Sequence, residues 1–77
     1  MPDDYVVPNF AGWLVSAAQN HTTSAGVGLR VSTATDDPYH VPTSPELSRT
    51  IIQNGSNSEP GSTKHVGEWV GTEIPAT

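Results

Sequence analysis

The chain has no cysteine and very few basic residues. Among its 77 residues, three are Lys or Arg and eight are Asp or Glu, so the formal net charge is −5. Without cysteine the chain can form no disulfide and perform no thiol chemistry. Three isolated cations cannot neutralise a run of phosphates, which argues against nucleic acid and against anionic membrane surfaces as partners.

Long apolar runs and a basic leader are also missing. The longest apolar stretch, 10–18, is interrupted by Gly12 and Ser16 and is too short to span a bilayer. The N-terminal residues Met1, Pro2, Asp3 and Asp4 are acidic, where a secretory signal carries positive charge. The sequence therefore predicts a virion or cytoplasmic location, without secretion through a signal peptide.

Large apolar residues are scarce. Hydrophobic residues make up 34% of the chain and charged residues 14%, so Ser, Thr, Asn, Gly and Pro fill much of the remainder. The core candidates are Val6, Val7, Phe10, Trp13, Leu14, Val15, Val27, Leu29, Val31, Val41, Leu47, Ile51, Ile52, Val66, Trp69, Val70 and Ile74. So few side chains offset the entropy of ordering the chain only poorly, which predicts partial disorder or surface supplied by a partner, including a second copy.

Two segments have helical features. The first, about 9–20, has apolar residues at helical spacing after Asn9, a good N-cap residue. The residues with that spacing are Phe10, Trp13, Leu14, Ala17 and Ala18. In the second, about 44–53, Thr43 and Glu46 have the spacing of a capping box, although the β-branched residues 50–52 leave a strand possible there.

Two other segments have the features of strands. In 27–34, Val27, Leu29 and Val31 alternate with small or polar residues, which is typical of a half-buried strand. The segment 64–74 reads as one strand or two short ones. Glycines flank Trp69 at i±2, and this bare face indicates that something packs beside the indole.

These elements predict a small α+β fold with high loop content and short antiparallel strands, which a partner could complete. Residues 1–8 read as an extended arm, because β-prone residues precede a proline. Residues 9–77 are expected to form a single small domain, with a flexible loop at 53–63.

Catalytic and ligand-binding motifs are not evident. The three histidines lie far apart in the sequence, no serine lies in a nucleophile elbow, and the Gly26-Val27-Gly28 run lacks the third glycine of a dinucleotide fingerprint. The sequence therefore predicts a protein without catalytic residues, metal, cofactor or small-molecule substrate. The rival interpretation is a small enzyme or metal protein, and metal analysis of the purified protein would test the metal half of it.

A protein interface is the remaining candidate site. Large apolar side chains on an arm and at a bare sheet face are suited to contact a partner, and either tryptophan could instead be a core residue. The predicted interface residues are Tyr5, Val6, Val7, Trp13, Trp69 and Val70.

The resulting hypothesis is a non-enzymatic structural or assembly protein. We expect a minor capsid, cement or decoration subunit of a virus or phage particle, with a larger assembly or self-association as its protein partner. The alternative is a small acidic inhibitor or adaptor that binds one enzyme. Co-purification with a particle favours the first, and one stoichiometric enzyme partner favours the second.

Overall fold

The computed structural model describes residues 4–33 and 38–76. Its elements are β1 (Asp4–Val6), α1 (Val15–Thr23), β2 (Gly28–Ser32), a 3₁₀ helix (Ser44–Ser48), β3 (Gln53–Asn54), β4 (Thr63–His65) and β5 (Trp69–Glu73). One helix, several short strands and long connections confirm the predicted α+β class with high loop content. Among the described residues α1 is the longest helix, and its nine residues fall well short of a membrane span.

The strands form two separate sheets. A three-stranded sheet has the order β2-β5-β3, and a two-stranded ribbon pairs β1 with β4. β4 pairs antiparallel with β1, as expected, and β3, which was not predicted, pairs antiparallel with β5. Strand β2, however, runs parallel to β5. The expectation of antiparallel pairing is therefore wrong for these two strands. A strand's own residue pattern does not record its direction, and the long chain between β2 and β5 permits a parallel crossover.

The core lies between α1, the three-stranded sheet and the segment that follows β1. Its buried hydrophobic residues are Tyr5, Val7, Phe10, Val15, Ala18, Val27, Leu29, Val31, Ile51, Val70 and Ile74. Five aliphatic residues that the composition offered for the core are instead 47–64% exposed: Val6, Leu14, Val41, Ile52 and Val66.

The first helix begins at Val15 and not at residue 9, and it ends at Thr23. The residues before it form a turn, because the side chain of Asn9 accepts a hydrogen bond from the Ala11 N–H (3.1 Å) and does not cap a helix. Gly12 continues that turn with a φ of +91°, which a helix cannot accommodate. The predicted start is therefore wrong, and the predicted stripe is right only in part. The helix buries Val15, Ala18 and Thr22, whereas Leu14 and Ala17 are exposed.

The second helical segment divides at Arg49. Residues Ser44–Ser48 form a 3₁₀ helix, and the Glu46 side chain accepts the Thr43 N–H at 2.8 Å, as the capping box predicts. The chain then becomes extended, and the Ile51 N–H donates to the Trp13 carbonyl at 2.8 Å. A helix through residue 53 is therefore wrong, and the β-branched residues 50–52 adopt the extended alternative.

The two predicted strand segments agree better with the structure. Val27, Leu29 and Val31 are buried on one face, and β2 covers Gly28–Ser32. The segment 64–74 holds two strands, separated by a turn in which Gly67 has a φ of +94°. Residue 34, at the end of the predicted first strand, lies outside the described residues.

The described part of segment 1–8 and the segment 53–63 both form backbone hydrogen bonds within the chain. Residues 4–7 run antiparallel to β4, and Val7 exchanges hydrogen bonds with Ser62 and Gly61 (2.8 and 2.7 Å). The segment 53–63 begins with β3, and hydrogen bonds tether its turns. Residues 1–3 of the predicted arm lie outside the described residues.

Candidate functional site

The outward face of the three-stranded sheet carries an aromatic pair, Tyr39 and Trp69. The pair packs over Gly55 and Gly71, which are called the glycine floor below. Alternation along β5 places Trp69, Gly71 and Glu73 on the face opposite the core residue Val70. The Tyr39 ring lies directly over the sheet there, because a Cβ on Gly71 would lie 3.0 Å from that ring. The group that packs beside Trp69 is therefore Tyr39 of the same chain. The bare glycine face predicts such a neighbour but does not identify it.

Each ring of the aromatic pair contacts a charged side chain. The two ring centroids are 5.5 Å apart, and the Arg30 guanidinium lies 5.1 Å from the Trp69 centroid in a cation–π contact. The Tyr39 hydroxyl donates to Glu73 Oε2 at 3.2 Å, and Gln53 Nε2 donates to Glu73 Oε1 at 2.8 Å. Burial, and then the Glu73 carboxylate, raise the pKa of Tyr39, which keeps the phenol protonated as a donor. Arg30, Tyr39, Trp69, Gln53 and Glu73 are called the aromatic face below.

An open cleft of about 340 Å³ adjoins this face at Glu73. Its walls are formed by Asn9, Gln53, Asn54, Gly55, Ser56, Glu59, Pro60 and Glu73. Among the described residues, its lining includes two carboxylates and no Lys, Arg or His. Carboxylate and amide oxygens together suit a cationic or hydrogen-bond-donating group.

Asn54 fixes the inner wall of the cleft. Its Oδ1 accepts the Phe10 N–H at 2.8 Å, and its Nδ2 donates to the carbonyls of Pro8 and Ser58, both at 2.9 Å. The buried Ser58 hydroxyl in turn accepts the Gly71 N–H at 2.9 Å. One amide side chain therefore ties the chain after β1, the loop after β3 and, through Ser58, strand β5 together.

A second aromatic group lies beside β1. The Tyr5 hydroxyl and His21 Nδ1 are 2.6 Å apart, and the His21 ring lies edge-on to Trp13 with centroids 5.4 Å apart. Phe10 meets Trp13 edge-to-face at 4.8 Å. Burial raises the pKa of Tyr5, so its hydroxyl stays protonated beside the His21 ring. These four side chains anchor β1 against the end of α1.

Most of the predicted interface residues of the arm and β5 lie inside. Tyr5, Val7 and Val70 are buried in the core, where their side chains already contact this chain's own residues. Val6 points the other way and is 64% exposed. Of the described part of the arm, only Val6 presents a large apolar side chain to solvent.

The two tryptophans occupy different environments. Trp13 is half-buried and packs against the core through Phe10 and His21. Trp69 is half-buried on the aromatic face, between Arg30 and Tyr39. Both keep some exposed surface, but Trp13 packs against the core whereas Trp69 lies on the opposite face of the sheet.

The histidines lie with different partners in three places. His40 Nε2 contacts Glu46 at 2.9 Å, and His65 Nδ1 contacts Asp4 at 2.8 Å, while His21 joins the cluster beside β1. Within the part of the chain that is described, no three His, Asp or Glu side chains converge to hold a metal ion. Each of the three histidines instead contacts a side chain from another segment of the fold.

Sequence reasoning did not identify Tyr39, Asn54 or His21 as site residues. Tyr39 lies in a connection without periodic pattern, and Asn54 directly follows the predicted helical segment 44–53. Only the glycines beside Trp69 hinted at the space that Tyr39 fills. The other contacts join residues distant in the sequence, which no local pattern records.

A comparison of the chain with protein-family models, with curated protein sequences and with solved structures finds no significant match. Any function proposed for the chain therefore depends on the residues and contacts described above.

Proposed function

We propose that the chain is a non-enzymatic structural or assembly protein, a minor capsid, cement or decoration subunit of a virus or phage particle. The observation that carries the proposal is the exposure of five large aliphatic side chains, each 47–64% accessible, in a chain with a small core. Burying such side chains against another protein would gain about 25 cal/mol for each Å² removed from water.

The N-terminal strand supports the proposal most directly. Because the backbone groups of Val7 bond to the chain beside β4, those of the preceding residue, Val6, point to the outer edge of β1. The same residue presents its isopropyl group to solvent. A neighbouring strand could therefore add at this edge and cover an apolar side chain, which is a recurrent mode of assembly.

The composition extends the proposal to a virion subunit. The chain has few charges, no cysteine, and loops rich in Ser, Thr, Gly and Pro. A subunit that adds to a preformed shell can depend on that shell for buried surface, since its own core needs to support only part of its stability.

Purification from the native source, with the chain tagged, tests the proposal. Co-sedimentation with a large particle at a fixed stoichiometry is the expected result. Size exclusion and thermal melting of the isolated protein add a second readout, since assembly makes the melting temperature depend on concentration. A compact monomer with a sharp, concentration-independent transition and no particle would overturn the proposal.

The acidic cleft favours one alternative, a small inhibitor or adaptor that binds a single enzyme. Its two carboxylates, Glu59 and Glu73, suit an arginine or lysine side chain of a basic partner. A lysate pull-down should then recover one stoichiometric enzyme, and Glu59→Gln should weaken that recovery. Glu68→Gln, the same charge change on an exposed residue away from the cleft, should leave it unchanged. Equal effects of the two variants would contradict the alternative.

A further inference from the structure

Strand β1 is held by segments that are distant in the sequence. It pairs with β4, Asp4 accepts a hydrogen bond from His65 (2.8 Å), and Tyr5 bonds to His21 (2.6 Å). These contacts form a receptor, meaning a binding site for residues 4–7. The strand that occupies this site can come from the same chain or from a second copy.

The covalent link between the strand and the rest of the fold is short. Val7 bonds through its N–H to Ser62, next to β4, whereas the Pro8 carbonyl bonds to Asn54. The chain therefore passes from the ribbon to the main body between Val7 and Pro8. Proline fixes its own φ and keeps Val7 extended, so this link favours an extended arm over a compact turn.

We propose that residues 4–7 exchange between two copies of this chain. In the exchanged dimer β1 of each copy pairs with β4 of the other, and Tyr5 and Val7 fill the same buried positions there. The strand makes the same contacts in the exchanged dimer as within one chain, which is why such dimers form at low cost. The inference rests on the proposed assembly function and names a second copy as the partner.

The receptor is matched to this sequence in particular. Asp4 places a carboxylate beside His65, and the Tyr5 hydroxyl meets His21 in the cluster beside α1. Val7 fills a buried position two residues further along the same face. A strand from a second copy satisfies all three requirements, and it also brings the proline that follows them.

Cysteine pairing can detect the exchange, because the natural chain has no cysteine. Val6 and Thr63 lie directly opposite each other in the ribbon, and both are exposed. The Val6→Cys and Thr63→Cys proteins are mixed, unfolded, refolded together and equilibrated in glutathione buffer. Exchange gives a disulfide between the two different chains, a species at about twice the 8.1 kDa of one chain.

The matched control mixes Val6→Cys with Ser48→Cys, whose residue is also exposed but belongs to the 3₁₀ helix and not to the ribbon. We expect peptides linked through positions 6 and 63, identified by mass spectrometry, at a yield well above the control. While the dimer is the minor species, a tenfold higher concentration should give about a tenfold higher linked fraction. A yield no higher than the control, with the Val6→Cys/Thr63→Cys double variant closing only within one chain at every concentration, would overturn the exchange.

The two proposals fail separately. A protein that co-sediments with a particle but forms only the disulfide within one chain keeps the assembly function and loses the exchange. A protein that forms the mixed disulfide but never co-purifies with a larger assembly keeps the exchange and loses the virion role.

Discussion

The three-stranded sheet and the two-stranded ribbon are stabilised in different ways. The sheet contributes Leu29, Val31 and Val70 to the core, and helix α1 packs against β2. The ribbon contributes Tyr5 from its strands and Val7 just beyond β1, while its strand β4 has no buried residue. The other contacts of the ribbon are hydrogen bonds, either between side chains or between backbone groups.

This contrast predicts two levels of stability within one small chain. Opening the sheet exposes most of the apolar core, whereas opening the short ribbon exposes only Tyr5 and Val7 and breaks mainly hydrogen bonds. The ribbon therefore opens at a lower free energy. Isolated two-stranded ribbons are marginal in water, so β1 depends on its two buried anchors. The element we propose to exchange between copies is therefore also the element that is easiest to open.

Removing a buried side chain beside the sheet should have the largest effect. Ile74→Ala deletes a side chain that is 1% exposed, and we expect a loss of about 2–5 kcal/mol in the free energy of unfolding. Ile52→Ala is the matched control, because Ile52 is 54% exposed, and surface changes of this kind cost less than about 0.5 kcal/mol. Urea denaturation measures both. Equal losses would contradict the core as described.

Filling the glycine floor should break the outward face of the sheet without touching the core. A Cβ on Gly55 would lie 2.5 Å from the Tyr39 hydroxyl oxygen, so Gly55→Ala must displace that ring, and we expect a loss of about 1–3 kcal/mol. Gly28→Ala is the control, since its Cβ would meet the Trp69 Cβ at an ordinary 3.5 Å. Tryptophan fluorescence during denaturation reports both changes. An equally tolerated Gly55→Ala would show that Tyr39 does not pack there.

Cutting the connection between ribbon and sheet should separate their stabilities. Asn54→Ala leaves the Phe10 N–H and two carbonyls without their partner, which costs about 1–3 kcal/mol. Amide hydrogen exchange should show the larger acceleration at Tyr5 and Lys64 in the ribbon, and a smaller one at Val70 in the sheet. Uniform acceleration throughout the chain would contradict two levels of stability. Asn20→Ala, an exposed change on α1, should alter neither.

The smallest effect concerns a carboxylate outside both sheets. Burial acts to raise the pKa of Glu46, but hydrogen bonds from Thr43 and His40 outweigh it, so the pKa lies below its ordinary 4.5. A depressed pKa in the folded state means that Glu46 stabilises the fold above pH 4.5 and that this stabilisation is lost as the pH falls through the folded pKa. Glu46→Gln should therefore melt earlier than the natural protein near neutral pH, and the difference should shrink in acid. A difference that grows in acid would contradict this assignment.

Local patterns predicted several elements correctly. The alternation at Val27, Leu29 and Val31 identified β2, since only one face of that strand meets the core. The spacing of Thr43 and Glu46 located the start of the 3₁₀ helix, because a capping box is satisfied within a single turn. The start of α1 was misplaced because Asn9 serves a turn as well as it would serve a cap.

By itself the sequence determined the α+β class, the faces of β2, the scarcity of core residues and the absence of thiol chemistry. Each of these follows from composition or from neighbours within one turn or one strand. Only the tertiary structure decided the parallel pairing of β2 and β5, the position of Tyr39 over the glycine floor, and the docking of β1 on β4. Such contacts join residues far apart along the chain, and their energies depend on which surfaces meet once the chain has folded.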